Sequence, residues 1–434
     1  VIRSAGTLFL SLLLLLVPSV SGAVLYIDIN APGGKRMPIS LPDFVVTGGD
    51  ASLARDLPGV IGGDLAMTSL FDVISRQAYL ERIVPEHFLA RPLSFPDWKM
   101  IGAEAVVIGK VEVRGDQMTV EMRLYDATLG NMMAGKKFSG PVRRFRRMAH
   151  KFSNEVLYAF TGVRGIFDTE IAFSARPEKG RGKEIYVIGL DGRELRQVTD
   201  NRSFNLFPRW SPDAKLLAYT SYRTGVPQIY MRNLAGGTDR LVVQHGNSKS
   251  PGSFSPSGDF LYATLSVGGN SDIYRVSLTG SAVRKVVGGW GIEVSPSVSA
   301  DGKRVAFVSD RGGSPQIYVK DIGSSDERRV SQAGSYSTSP SWSPAGDMIA
   351  FTSLAKGRYA IYTVRPDGSD QRLVISDNGS CIDPSFSPDG RYLVYTLQKS
   401  GYSELKIGSV DGRWRRGLFR GLPAVGSPSW SPRQ

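Results

Sequence analysis

The sequence predicts two domains: an N-terminal α/β domain followed by an all-β, six-bladed propeller. Three observations carry this reading. Two independent motifs recur with one period through the C-terminal two-thirds of the chain. Residues 24–162 show no such repeat. With 49 Gly and 25 Pro among 434 residues, the composition favours turns and short strands over long helices.

The repeat is specific. A Ser-Pro pair or near equivalent stands at Ser211-Pro212, Ser255-Pro256, Ser299-Ala300, Ser343-Pro344, Ser387-Pro388 and Ser431-Pro432, always 44 residues apart. Each follows an apolar residue: Trp210, Phe254, Val298, Trp342, Phe386 and Trp430. The second series keeps the same period: Ile185-Tyr186, Ile229-Tyr230, Ile273-Tyr274, Ile317-Tyr318, Ile361-Tyr362 and, in altered form, Leu405-Lys406. Between the motifs lie turns such as Pro388-Asp389-Gly390 and Asp367-Gly368, whose residues supply tight-turn backbone angles. Four short strands per 44 residues are the signature of a propeller blade. The phase predicts how the ring closes. The first unit begins at Ile171 with its second strand, and the strand around Trp430 has no unit of its own. Placing it in the first blade completes six blades and removes two open sheet edges. The alternative, a linear solenoid, leaves both ends uncapped.

The N-terminal domain is read element by element. Residues 24–29 alternate as a strand, and 52–70 read as a helix with Leu53, Leu57, Val60, Ile61 and Leu65 on one side, despite Pro58. Residues 105–113 and 118–126 pair about the turn Arg114-Gly115-Asp116. Residues 141–160 form the clearest helix. Pro141 is placed in its first turn, and Val142, Phe145, Ala149, Phe152, Val156 and Phe160 make a core stripe that Gly162 ends.

Residues 1–23 read as a cleaved secretory signal peptide. Arg3 supplies the positive end and residues 8–17 the apolar run, with Pro18 and Ser21-Gly22-Ala23 before a mature start at Val24. The run is too short for a comfortable membrane span; the alternative is an uncleaved anchor or a buried helix. The net charge of +13 raises nucleic acid as a partner, but export argues against it and favours acidic proteins or anionic envelope surfaces. The cluster Arg143-Arg144-Phe145-Arg146-Arg147 reads as a solvated helix face. The single Cys381 excludes an intramolecular disulfide and reads as a small buried residue.

No catalytic or metal site is expected. His87, His150 and His245 lack metal-ligand spacing, and no nucleophile elbow, phosphate loop or calcium loop occurs. The Asp-Gly pairs recur with the blade period, as turn chemistry requires. Propellers also gate oligopeptidases, but no hydrolase domain is read beside this one. Six loops before the innermost strands must converge around the channel, and a concave rim of polar groups is the default binding site. Asn205, Asn247, Lys249, Ser250, Glu293, Ser295, Thr338, Ser339 and Asp383 are the rim candidates; the alternative for each is an ordinary turn residue.

These residues resemble the periplasmic TolB family over essentially the whole chain. The resemblance rests on Thr161-Gly162-Val163-Arg164-Gly165 running into Ile171-Ala172-Phe173, on W-K-M-I-G-A-E-A-V-V-I-G-K-V at 98–111, and on V-E-M-R-L-Y-D at 120–126. The repeated P-x-W/F-S-P-D-G motif is shared with other propellers. Ala300 and Val298 depart from it, and Leu405-Lys406 from the Ile-Tyr series, each in a single blade. The resemblance implies a monomeric, cofactor-free periplasmic protein that binds the lipoprotein Pal at the channel mouth. It also implies binding of TolA through the extreme N-terminus, here Val24, Leu25, Tyr26, Ile27, Asp28 and Ile29, in support of outer-membrane integrity and constriction at division. The alternative is a propeller scaffold, or a peptidase-related protein, that binds another protein or a glycan.

Overall fold

The computed structural model describes residues 36–433 apart from 179–181, 245, 280–281 and 333. The expected signal peptide, the strand at 24–29 and His245 lie outside the described residues. The chain divides into two compact units, one of residues 1–143 with 156–163 and one of 144–155 with 164–434.

The first unit is built on one mixed sheet. Strands β1 (Met37–Ser40), β2 (Val45–Thr47), β3 (Phe71–Val73), β4 (Ala105–Arg114), β5 (Gln117–Asp126) and β6 (Met132–Pro141) follow in chain order. Their spatial order is β3-β1-β4-β5-β6, with β2 beside β4. The first three strands run parallel to their neighbours, whereas β4, β5 and β6 form an antiparallel meander. Helix α1 (Leu53–Met67) buries Leu53, Leu57, Ile61 and Leu65. Pro58 is tolerated inside it for a visible reason. Proline has no N–H for the carbonyl of Ala54, and that carbonyl accepts the N–H of Phe44 at 2.8 Å instead. Gly109 gives the Phe44 ring its place, since a Cβ there would lie 2.2 Å from the ring. Helix α2 (Phe95–Met100) buries Trp98, whose indole donates to Glu81 at 2.7 Å.

Helix α3 (Phe145–Thr161) starts later than the sequence suggested. Pro141 is not in its first turn. It ends β6 opposite Gln117, on an edge strand where the missing N–H costs nothing, and a single 3₁₀ turn (Val142–Arg144) follows. Ala149, Phe152, Val156 and Phe160 are buried as expected, while Val142 and Phe145 are half-buried. The Phe160 ring meets Phe71 edge-on, centroids 5.6 Å apart. Gly162, at φ +68°, ends the helix with its N–H on the carbonyl of Tyr158.

The second unit contains six four-stranded antiparallel sheets. Five follow the chain; their innermost strands are Asn205–Trp210, Lys249–Phe254, Glu293–Val298, Ser337–Trp342 and Ser380–Phe386. In the first blade, Gly426–Trp430 is innermost, against Glu170–Ala175. The repeat now has physical causes. For five of the six, from Ser211 to Ser387, the Ser of Ser-Pro folds back on the turn that follows. Ser387 Oγ donates to Asp389 at 2.6 Å and accepts the N–H of Tyr392 at 2.9 Å, and Ser211 does the same with Asp213 and Leu216. The Ile of Ile-Tyr, or Leu405, is wholly buried in every blade. In four blades its Tyr lies opposite an aromatic of the second strand and stacks on it, in Phe173–Tyr186, Tyr219–Tyr230, Phe307–Tyr318 and Phe351–Tyr362, whereas Tyr274 faces Ala263. The sixth blade departs at Lys406, which pairs with Asp377 at 2.5 Å.

The basic cluster before and within α3 is not uniformly solvated. Arg143 and Arg144 are exposed, but Arg146 is half-buried and its Nε donates to Asp191 at 2.8 Å, with His150 Nε2 at 3.3 Å from the same carboxylate. Burial alone would raise the Asp191 pKa. The hydrogen bonds and charges of His150 and Arg146 outweigh it and hold the carboxyl well below its ordinary range.

Candidate functional site

The innermost strands enclose a central channel of about 450 Å³. Its geometry follows from one bulge repeated around the ring. Each inner strand shifts register against its neighbour near its third residue, for example between Val294 and Ser297. The equivalent residue at the bulge, recurring every 44 residues, is Phe207, Pro251, Ser295, Ser339, Asp383 or Ser427. All but the proline take a left-handed conformation, with φ between +52° and +55°. Non-glycine residues adopt it at a cost of about 1–2 kcal/mol, borne here where the wall faces the channel.

The bulge divides the nine rim candidates. Ser295, Ser339 and Asp383 line the channel. Ser339 Oγ donates to Asp383 at 2.8 Å, and the backbone N–H groups of Ser295 and Asp383 donate to Thr264 and Thr352 at 3.2 and 3.1 Å. Ser250 and Thr338 are half-buried one residue earlier, and Asn247 is exposed.

Asn205, Lys249 and Glu293 do not stand on the rim, which corrects the expectation. They open their inner strands two residues before the bulge, where side chains point into the blade. All three are buried. Asn205 donates to Glu184 at 2.8 Å. Lys249 donates to the carbonyl of Gln244 at 3.1 Å and to Gln228, and burial pushes its pKa down. Glu293 accepts from Ser309 at 3.0 Å and Arg311 at 2.9 Å. Burial nonetheless raises its pKa against the pull of both partners. The same position holds Ser337, Cys381 and Val425 in the other blades, each buried.

Sequence reasoning chose polar residues and so missed the apolar ones on the same loops. Phe204, Ile292 and Tyr336 are exposed, and Trp290 is 81% exposed. The Trp290 loop is well tied. Asn270 Nδ2 donates to the carbonyls of Gly289 and Gly291, both at 2.9 Å, and the N–H of Ile292 donates to Asp310 at 2.7 Å. A large aromatic on a braced loop loses little freedom on docking, and tryptophan is a common interface hot spot. An apolar residue between turn signals just before a Ser-Pro strand was the available clue. Arg209, also in the channel wall, was missed too.

Among the described residues, no group of three or more His, Cys, Asp or Glu side chains could hold a metal ion. No described helix is long and apolar enough to cross a membrane.

Comparison with known proteins covers both units. Residues 158–434 match the TolB beta propeller domain and residues 25–133 the TolB amino-terminal domain. The Tol-Pal system protein TolB of Jannaschia sp. (strain CCS1) is 39% identical over 208 residues, which is 46% of this chain and 45% of that protein. The protein of the same name from Cereibacter sphaeroides (strain ATCC 17029 / ATH 2.4.9) is 36% identical over 259 residues, 58% of this chain and 56% of its own length. The chain thus spans about half the length of the curated relatives it matches. The crystal structure of TolB from Acinetobacter baumannii superposes with a TM-score of 0.76 at 28% identity, covering 92% of this chain and 98% of that one.

Proposed function

The chain belongs to the TolB family, and from that premise we propose that it is a non-enzymatic, protein-binding component of the Tol–Pal envelope system, acting in the periplasm after export. Its relatives are named as Tol-Pal system proteins, and that membership implies envelope partners. The propeller rim receives the lipoprotein Pal. The observation that carries this reading is Trp290, an aromatic side chain 81% exposed on a loop that is braced by Asn270 and Asp310 and leads into the inner strand Glu293–Val298. Ser295, Ser339 and Asp383 supply polar contacts on the channel wall. Residues 24–29 form the arm that engages TolA. Together the two contacts support outer-membrane integrity and constriction at division.

The test is calorimetric titration of the purified protein with soluble Pal, then with soluble TolA. Saturable binding of Pal that fails in a folded Trp290→Ala variant supports the reading. Full Pal affinity in that variant removes Trp290 from the site. Absence of Pal binding by the wild type turns the search to another envelope protein or a glycan.

A further inference from the structure

One position on the channel wall is chemically uniform except in one blade. Two residues beyond the bulge stand Ser253, Ser297, Ser341, Ser385 and Ser429. Four of these hydroxyls stitch neighbouring blades together. Ser253 accepts the N–H of Val298 at 2.8 Å, Ser297 that of Trp342 at 3.0 Å, Ser341 that of Phe386 at 3.4 Å and Ser385 that of Trp430 at 3.0 Å. The second blade carries Arg209 instead. A guanidinium accepts no hydrogen bond, so Arg209 cannot serve as a stitch.

Arg209 has little else to hold. It lines the channel, and its one hydrogen bond runs from Nη1 to the carbonyl of the adjacent Pro208 at 3.0 Å. A guanidinium carries five N–H donors, so most of them find no protein partner. Asp383 is the single acidic side chain on the channel wall, and among the described residues it makes no ion pair with Arg209 within 4.0 Å. Burial lowers the pKa of Arg209, with the charge of Asp383 opposing; Lys183 is lowered by burial too, and it also feels Asp383. Lys183 is not part of the channel lining, so on the wall itself half-buried Arg209 is the cation that stands among serine hydroxyls without an ion-pair partner among the described residues. An unpaired charge in such a place is costly unless a counter-charge arrives.

We propose that the channel is a carboxylate-binding site, in which Arg209 pairs with the ligand's carboxylate and the flanking serine hydroxyls donate to it. A planar carboxylate matches the guanidinium fork in two parallel hydrogen bonds. The cavity of about 450 Å³ has room for a small organic acid or for the carboxylate end of an inserted peptide. The site shares the channel wall with Ser295, Ser339 and Asp383, but its test uses no Pal, so it can fail while recognition of Pal stands, and the reverse.

The experiment titrates the full chain, without any partner, with three probes. These are sodium succinate, a short peptide with a free C-terminal carboxylate, and the same peptide amidated. Calorimetry is expected to detect binding of at least one carboxylate probe and none of the amidated peptide. Succinate binding alone identifies a small acid as the ligand, and binding of the free-acid peptide alone identifies a chain terminus. Arg209→Ser installs the residue the other five blades carry, so the ring should keep its melting temperature while affinity falls about tenfold or more. Asp383→Ser should strengthen binding, since it removes a like charge. If the serine variant melts early, Arg209→Gln keeps the side-chain length without the charge. Silence with both carboxylate probes, or unchanged affinity in either folded Arg209 variant, overturns the proposal.

Discussion

The indole Nε1 of Trp430 donates to the hydroxyl of Thr169 at 2.8 Å, across 261 residues of sequence. Around this bond, Trp430 pairs with Ile171 in the first blade, the N–H of Ser431 donates to the carbonyl of Glu170 at 2.8 Å, and Ser431 Oγ accepts the N–H of Glu170 at 3.0 Å. The strand Gly426–Trp430 is thereby the clasp of the ring. Trp430→Ala removes a buried aromatic and a buried hydrogen bond, a loss of about 3–5 kcal/mol. The variant is expected to melt well below the wild type in scanning calorimetry, and truncation after Pro423 lower still. A wild-type melting temperature in the truncated protein would show that the ring does not depend on this strand.

The Asp191 contact is expected to make stability depend on acid. Its folded carboxyl titrates below the unfolded value of about 3.9. The stabilisation is therefore complete above that value and is lost as the pH falls toward the folded pKa. Asp191→Asn should melt earlier than the wild type at pH 7, and the difference should shrink as the pH is lowered through 4 toward 3 (about the unfolded carboxyl range). Parallel melting curves at every pH would remove Asp191 from the stability of this unit.

Cys381 is expected to be inert in the native protein. It is wholly buried, and burial, helped by the charge of Asp377, pushes its thiol up to about 12. The thiolate is the reactive form, so a chromogenic disulfide reagent should label it only as fast as the blade opens. Rapid labelling without denaturant would contradict this.

The arm at residues 24–34 is expected to act separately from the folded units. Its deletion should leave the melting temperature and Pal affinity unchanged and abolish TolA binding. Retained TolA affinity in the deletion variant would move that contact elsewhere.

Ser339→Trp places a bulky ring on the channel wall and should weaken Pal binding without unfolding the blade, whereas Glu293→Gln should act on stability instead. The latter loses a buried charge hydrogen-bonded to Arg311 and Ser309. Affinity by calorimetry and melting temperature, measured on both variants, separate the two roles.

The blades were legible because their repeat is enforced by local chemistry. The Ser of Ser-Pro holds its own turn, and the Ile of Ile-Tyr fills the blade, so both recur wherever a blade does. Strand β6 was not legible. Met132–Pro141 is an edge strand with no buried position and two lysines, and it shows no alternation. The failure at Lys249 and Glu293 was one of parity. A polar residue at a strand's first position looks the same in sequence whether it points out to a rim or into a blade. Only the bulge that follows, at Pro251 and Ser295, settles which. Trp290 was passed over for a different reason: exposed aromatics are not expected on loops, and its exposure depends on bracing from Asn270, twenty residues earlier.

The pairing of Gly426–Trp430 with Glu170–Ala175 also sets a timetable for the nascent chain. Five blades are closed by contacts among their own neighbouring segments and can form as each segment is made. The first blade cannot, because its innermost strand is synthesised more than 250 residues after its second. Until then the edge of Glu170–Ala175 stays unsatisfied, an apolar strand open to any passing partner. A chain moved across a membrane before it folds would carry that edge through in extended form. The protein's period of greatest vulnerability to misassembly thus lasts until Trp430 emerges, and a chaperone that shields residues 170–175 would shorten it.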